Sequence, residues 1–258
     1  MNKNNPIGLF DSGIGGTSIW KEIHQLMPNE NTIYLADSKN APYGQKSKQE
    51  IIELSIKNTE FLLNRNAKMI VVACNTATTN AIKELREKYD VPFIGIEPAI
   101  KPAVYNSKTQ TIGILATKGT LSSELFNKAV EVYQHVKIIE QVGHGLVQLI
   151  ENGDMCSPEM TRLLTSYLTP MIEANIDYLV LGCSHYPYLI PQIKEILPTH
   201  IKIIDSGEAV ARQTQNVLGQ QTGFNDTKDP YTIFYSNSDT RVLSEILGNE
   251  YKVEEADF

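Results

Sequence analysis

Cysteine is scarce in this chain, with three residues in 258, and no apolar run approaches the roughly 20 residues that span a bilayer. An odd count without close-spaced pairs argues against a disulfide framework and against a CxxC-type metal site. Free thiols in a reducing cytoplasm are the expectation. The beginning, MNKNNPIGLFDSG, lacks the apolar stretch of a secretion signal. Positive charge is also short: 23 Lys and Arg face 30 Asp and Glu, for a net charge of -7. No basic stripe with interleaved aromatics offsets this, so neither nucleic acid nor a membrane is an expected partner. Symmetric association as a homodimer stays open, because no contiguous surface patch is legible.

What is present is alternation. Short Ile- and Val-rich runs, from Ile7–Phe10 through Met69–Ala73 and Tyr178–Leu181 to Thr232–Tyr235, alternate with helical stretches. Among these are Thr17–Met27, Gln49–Asn64, Thr79–Tyr89, Leu121–Tyr133, Pro158–Ala174, Tyr188–Leu197 and Glu208–Leu218. Strands buried on both faces between helices predict an α/β protein with mainly parallel central sheets.

The chain also repeats itself. IGLFDSG at Ile7 resembles IGILATK at Ile112, VVACNT at Val71 resembles VLGCSH at Val180, and FIGIEPA at Phe93 resembles IKIIDSGEA at Ile201. The offsets are 105, 109 and about 108, in the same order. Two pseudo-symmetric domains follow: residues 1–97 with 208–258, and residues 98–207. The tail has no third copy to join and is expected to pack back on the first.

Cys74 and Cys183 occupy matching places in this repeat, each just past an apolar run at the carboxyl end of a strand. Loops at that edge form the binding crevice of open α/β sheets. Either cysteine alone reads equally well as a small core hydrophobe; the matched pair suggests one site supplied from both halves. Cys156, in DMCSP, has no counterpart. Opposed thiols suit inversion at a stereogenic carbon, one taking a proton and the other delivering one to the opposite face. A free thiol titrates near 8.5, so a modest shift makes it a usable base near neutrality. His185 serves as an orienting acid or base near Cys183, with a core histidine as the alternative. The loop D11-SGIGGT starts a helix, where amides favour a carboxylate or phosphate, yet it is neither a dinucleotide fingerprint nor a P-loop. A simple helix cap explains it equally well. In N40-APYG, Tyr43 is an aromatic that a turn does not need, and the Gly44 amide could hold a carboxylate.

The ordered set GLFDSGIGG, D37-SKNAPYG, V71-VACNTATTNA, L115-ATKGT, G143-HGLVQLIE and L181-GCSHYPYL resembles the glutamate racemase family of the aspartate/glutamate racemase superfamily, over nearly the whole chain. The resemblance implies a cofactor-independent isomerase, interconverting L- and D-glutamate for peptidoglycan, with its site between the domains. It implies Cys74 as the base acting on D-glutamate and Cys183 as the base acting on L-glutamate, with Asp11, Glu151 and His185 as assisting acids or bases. Substrate contacts are implied at Asp11, Ser12, Tyr43, Gly44, Asn75, Thr76, Thr117, Thr120, Ser184 and His185. The usual GCTHYP reads GCSHYP here, so Ser184 keeps the hydroxyl and loses a methyl group. Rival readings are an aspartate racemase, a one-cysteine hydrolase, a ligand-binding protein on the same fold, and a pyridoxal-phosphate racemase, which would need a Schiff-base lysine.

Overall fold

The side chains of Ile7–Asp11, Thr32–Ala36 and Met69–Val72 are buried on both faces, as the centre of a helix-covered parallel sheet requires. The computed structural model describes residues 2–258, and in it these segments are strands β1, β2 and β3, followed by β4 (Phe93–Gly95). A second set comprises β5 (Thr111–Ala116), β6 (Lys137–Val142), β7 (Tyr178–Gly182) and β8 (Lys202–Ile204). The tail adds β9 (Thr232–Ser236) and β10 (Val253–Glu255).

Two wholly parallel sheets result, ordered β10-β9-β2-β1-β3-β4 and β6-β5-β7-β8. The run β2-β1-β3-β4 has the same topology as β6-β5-β7-β8, which is the sequence repeat in structural form. Gly8 and Gly113 show how closely the copies agree. A β-carbon on Gly8 would lie 3.1 Å from Leu62 and Ala67; one on Gly113 would lie 2.7 Å from Met171 and 3.0 Å from Ile176. Both glycines therefore let a covering helix and its exit turn press onto the sheet. The two sets of neighbours are offset in sequence exactly as the two cysteines are.

Helices α1 (Thr17–Leu26), α2 (Lys48–Leu63) and α3 (Asn75–Lys88) accompany the first strands, and α4 (Ile100–Asn106) packs against β5 and β7 of the second sheet. The second set carries α5 (Lys118–Leu121), α6 (Glu124–Glu131), α7 (Leu146–Glu151), α8 (Pro158–Glu173) and α9 (Ile190–Ile196). Last come α10 (Gly207–Val217), which packs on α1, and α11 (Arg241–Ile246). The tail is pinned to the first sheet by pairing of β9 with β2 and by a buried ion pair. Lys68 Nζ, fully buried, lies 2.7 Å from Glu30 and also donates to the carbonyls of Lys3 and Gly223. The other oxygen of Glu30 accepts from the Asn225 N–H at 2.8 Å.

Three expectations need correction. The stretch Leu121–Tyr133 is not one helix: it breaks between α5 and α6, where the Ser123 hydroxyl accepts from the Phe126 N–H and starts a new one. The residues after Cys74 are not loop; they form the first turn of α3, with the cysteine itself as cap. Helices α4, α7 and α11 and strand β10 were not expected, being too short to show a period.

Candidate active site

Parallel neighbours β1 and β3 end on the same edge of their sheet, which sets Asp11 and Ser12 beside Cys74. The Cys74 sulfur lies 3.6 Å from Ser12 Oγ and accepts the Ala77 N–H at 3.4 Å, so it caps α3 with a partial positive charge aimed at it. Burial, and then the charge of Asp11, nevertheless push this thiol well above its ordinary range. The expected modest downward shift is therefore not what surrounds Cys74. Asp11, fully buried, accepts from the Gly16 N–H at 2.8 Å and from Ser184 Oγ, of the other domain, at 3.2 Å. Burial raises its carboxyl above the usual value, with His185 and the Gly16 amide opposing.

Equivalent strand β7 delivers Cys183, whose sulfur lies 3.8 Å from His185 Nδ1. The other ring nitrogen, Nε2, is 2.5 Å from Glu151 Oε1. Burial opposes a charge on this imidazole, but the hydrogen bonds with Cys183 and Glu151 and the charge of Asp11 together lift its pKa well above the usual one. Glu151 in turn accepts from the Ile14 N–H at 2.7 Å and from Ser38 Oγ at 2.8 Å, both on the first domain.

These contacts assign the glycines of D11-SGIGGT a different task from the one expected. Much of this backbone is already engaged within the protein: the Ile14 and Gly16 amides donate to Glu151 and Asp11, and the Gly15 nitrogen lies 3.3 Å from the His185 ring. A β-carbon at Gly13 would lie 1.9 Å from Glu151, and one at Gly15 would lie 2.2 Å from His185. The glycines let the second domain's acid and imidazole close against the first domain's loop.

Between the two thiols lies a narrow cavity of about 10 Å³, room for one water centre. Cys74 and Cys183 both line it, with Ser12, Asn75 and Ser184 among their neighbours. At its edge Thr76 and Thr117 stand 2.8 Å apart, Thr117 and Thr120 3.0 Å, and Thr76 and Thr120 3.3 Å: three hydroxyls in one ring, from both domains. Tyr43 is buried, its hydroxyl donating to Asp37 and accepting from Asn58 at 3.1 Å. Gly44 abuts Thr117, where a β-carbon would lie 2.8 Å away. Asn75 is 2% exposed, and neither its side-chain nitrogen nor its oxygen has a hydrogen-bond partner among the described residues.

Every candidate site residue named from the sequence lies at this cavity or one hydrogen bond from it, whereas Cys156 is exposed, does not line it and sits beside Gln192. Sequence reasoning missed Ser38, Asp37, Asn58 and Val147. Asp37 and Asn58 hold Tyr43, Ser38 holds Glu151, and Val147 lines the cavity. An aspartate, Asp37, shortly ahead of the NAPYG turn was the one signal available. Among the described residues no helix could cross a membrane and no cluster of His, Cys, Asp and Glu could hold a metal ion.

Two topologically equivalent α/β domains, each presenting a strand-end cysteine to one shared cavity, define the architecture of an amino-acid racemase, an isomerase. Residues 7–214 match the Asp/Glu/Hydantoin racemase family. Within it, the chain is 42% identical over 254 residues to the glutamate racemase of Ectopseudomonas mendocina, covering 96% of this chain and 97% of that one. The crystal structure of glutamate racemase isoform RacE1 from Bacillus anthracis superposes with a TM-score of 0.89 at 31% identity, covering 100% of this chain and 99% of the other. That of Escherichia coli glutamate racemase, in complex with L-glutamate and the activator UDP-MurNAc-ala, gives 0.88 at 31% identity and 97% of each chain. This chain belongs to the glutamate racemase family.

Proposed function

We propose that the chain interconverts L- and D-glutamate by proton transfer between two thiols, without a cofactor, and so supplies D-glutamate for peptidoglycan in the cytoplasm. One observation carries the reading: the two cysteines that match in the sequence repeat line the same cavity from opposite domains. The family's glutamate racemases and the glutamate-bound relative support the substrate, and that relative's nucleotide-sugar activator supports the cell-wall role. On this reading the domains comprise residues 1–97 with 208–258, and residues 98–207.

In the direction from L to D, Cys183 takes the α-proton while the Cys74 thiol delivers its own to the opposite face; from D to L the roles exchange. His185 Nδ1 is the group that exchanges a proton with Cys183, held in place through Nε2 by Glu151. On the other side the substrate ammonium settles near Asp11 and Ser12, and its charge offsets the carboxylate that otherwise holds the Cys74 proton. The threonine ring, Ser184, Asn75 and the Tyr43–Gly44 turn hold the two carboxylates. Fixed donors there stabilise charge developing at the α-carbon. Ser184 keeps its hydroxyl on Asp11, so its lost methyl group leaves the reaction intact.

The test is incubation of the protein with D-glutamate in heavy water, without added cofactor, followed by chiral chromatography and mass spectrometry. L-glutamate carrying an α-deuteron is the expected product, lost in Cys74→Ala and in Cys183→Ala and retained in Cys156→Ala. Inversion that survives loss of either active-site thiol overturns the two-thiol mechanism. Turnover of aspartate with none of glutamate overturns the substrate.

A further inference from the structure

Among the described residues no lysine or arginine lines the cavity between the thiols, although the substrate proposed above is an anion and the chain itself carries a net charge of -7. A second, larger space of about 40 Å³ adjoins it, sharing Pro42, Gly44, Thr117 and Val147 with the first. Its outer lining adds Gln45, Lys118, His144 and Gln148. Among the described residues no carboxylate lines either space. Lys118 and His144 are both exposed, and Lys118 has no ion-pair partner within 4 Å among the described residues. The groove behind Glu151 is the contrary case: it is far roomier, about 390 Å³, but is lined by Glu151, Asp154 and Asp239 against a single Arg241. An anion approaching the site meets repulsion on that side and a lone cation on this one.

We propose that the vestibule walled by Gln45, Lys118, His144 and Gln148 is the encounter subsite through which an acidic amino acid enters, with Lys118 as its steering charge. The inference rests on the reading of the reaction given above. Position makes Lys118 more than a solvated surface charge. It is the first residue of α5, and the residue before it, Thr117, lines both spaces and belongs to the threonine ring. A carboxylate met at Lys118 therefore has its next donor, the Thr117 hydroxyl, one residue further in. An exposed lysine at the mouth acts through water and ions, so its effect is screened by salt over a Debye length of about 8 Å at physiological ionic strength. It raises the local concentration of the anion and leaves the chemical step alone.

Because L- and D-glutamate are mirror images of equal free energy, kcat/KM must be the same in both directions, and a mouth residue must change both alike. The measurement is kcat and KM for both enantiomers, from low to high sodium chloride, in the full chain and in Lys118→Gln, Lys118→Glu and Lys118→Arg. Wild-type kcat/KM should fall as salt rises. Lys118→Gln should raise KM about threefold and flatten that dependence, and Lys118→Glu should raise KM about tenfold at low salt and reverse it, both with kcat unchanged. Lys118→Arg should behave as wild type. A reversed salt slope is something that mere loss of packing does not produce. Racemisation with the same KM and salt slope in Lys118→Gln overturns the vestibule assignment and leaves the reaction standing. Failure of the wild type to racemise glutamate overturns the reaction, and this inference with it.

Discussion

The backbone N–H of Gly15 lies 3.3 Å from Nε2 of His185, across the junction between the two domains, and a β-carbon at Gly15 would intrude to 2.2 Å from Nδ1 of the same ring. Gly15 is not in the left-handed region, so its backbone tolerates alanine; only the approach of the imidazole forbids it. Gly15→Ala is therefore expected to fold, with an unchanged far-ultraviolet circular dichroism spectrum, and to lose about 100-fold in kcat because His185 can no longer sit against Cys183. Steady-state kinetics decide the matter. Activity close to wild type would mean that the close approach is dispensable.

His185 also couples the fold to pH. Burial disfavours its charged form, but Cys183, Glu151 and Asp11 outweigh burial and hold its pKa well above the usual 6.5. The folded protein then binds this proton more tightly than the unfolded chain does. Its contribution to stability is complete below the unfolded value and is lost as pH rises through the folded value. Urea unfolding at about pH 6 and about pH 9 should show wild type losing more stability than His185→Asn, which lacks the group. Equal losses in the two proteins would show that another group titrates.

Much of this was legible because the repeat is written in residues whose chemistry is unusual for a core. Two cysteines behind two apolar runs at one offset gave the domain pairing and both thiols, and the glycine at the second position of IGLF and IGIL marks the same helix contact in each copy. The task of the first glycine loop was not legible. Its amides look like a ligand cradle until Glu151 and His185, more than a hundred residues away, are seen to close against them. The same distance hid Ser38, an unremarkable serine in sequence that becomes an interdomain contact only when α7 brings Glu151 to it. The upward shift at Cys74 comes from burial beside Asp11, which no spacing encodes.

Lys68 ties the amino-terminal segment, Glu30 and the chain at Gly223 into one buried knot. Lys68→Met keeps the volume and removes the charge, leaving the Glu30 carboxylate buried with, among the described residues, only the Asn225 N–H to meet it. Breaking such a pair from one side costs about 3–5 kcal/mol, far more than a surface substitution. The expected result is a melting temperature lower by many degrees, with kcat at 25 °C unchanged because the knot lies outside the cavity. A loss of under about 1 kcal/mol would show that the ion pair contributes little net stability.

Asn75 presents the opposite balance. Its amide begins α3 next to Cys74 and lines the cavity, yet neither its nitrogen nor its oxygen is hydrogen-bonded among the described residues. A buried polar group left unpaired costs about 1–3 kcal/mol, and a fold has no use for one at this position. That cost is understandable if the amide is kept for the substrate, which brings both donors and acceptors. Asn75→Leu removes the polarity at similar shape, so the free enzyme should gain about 1 kcal/mol of stability while kcat/KM falls about 100-fold or more. Paired measurements of urea unfolding and racemisation on the same preparation separate the possibilities. Loss of both stability and activity would make Asn75 a structural residue whose partner is water, whereas gain of one with loss of the other identifies an amide held unsatisfied for its ligand.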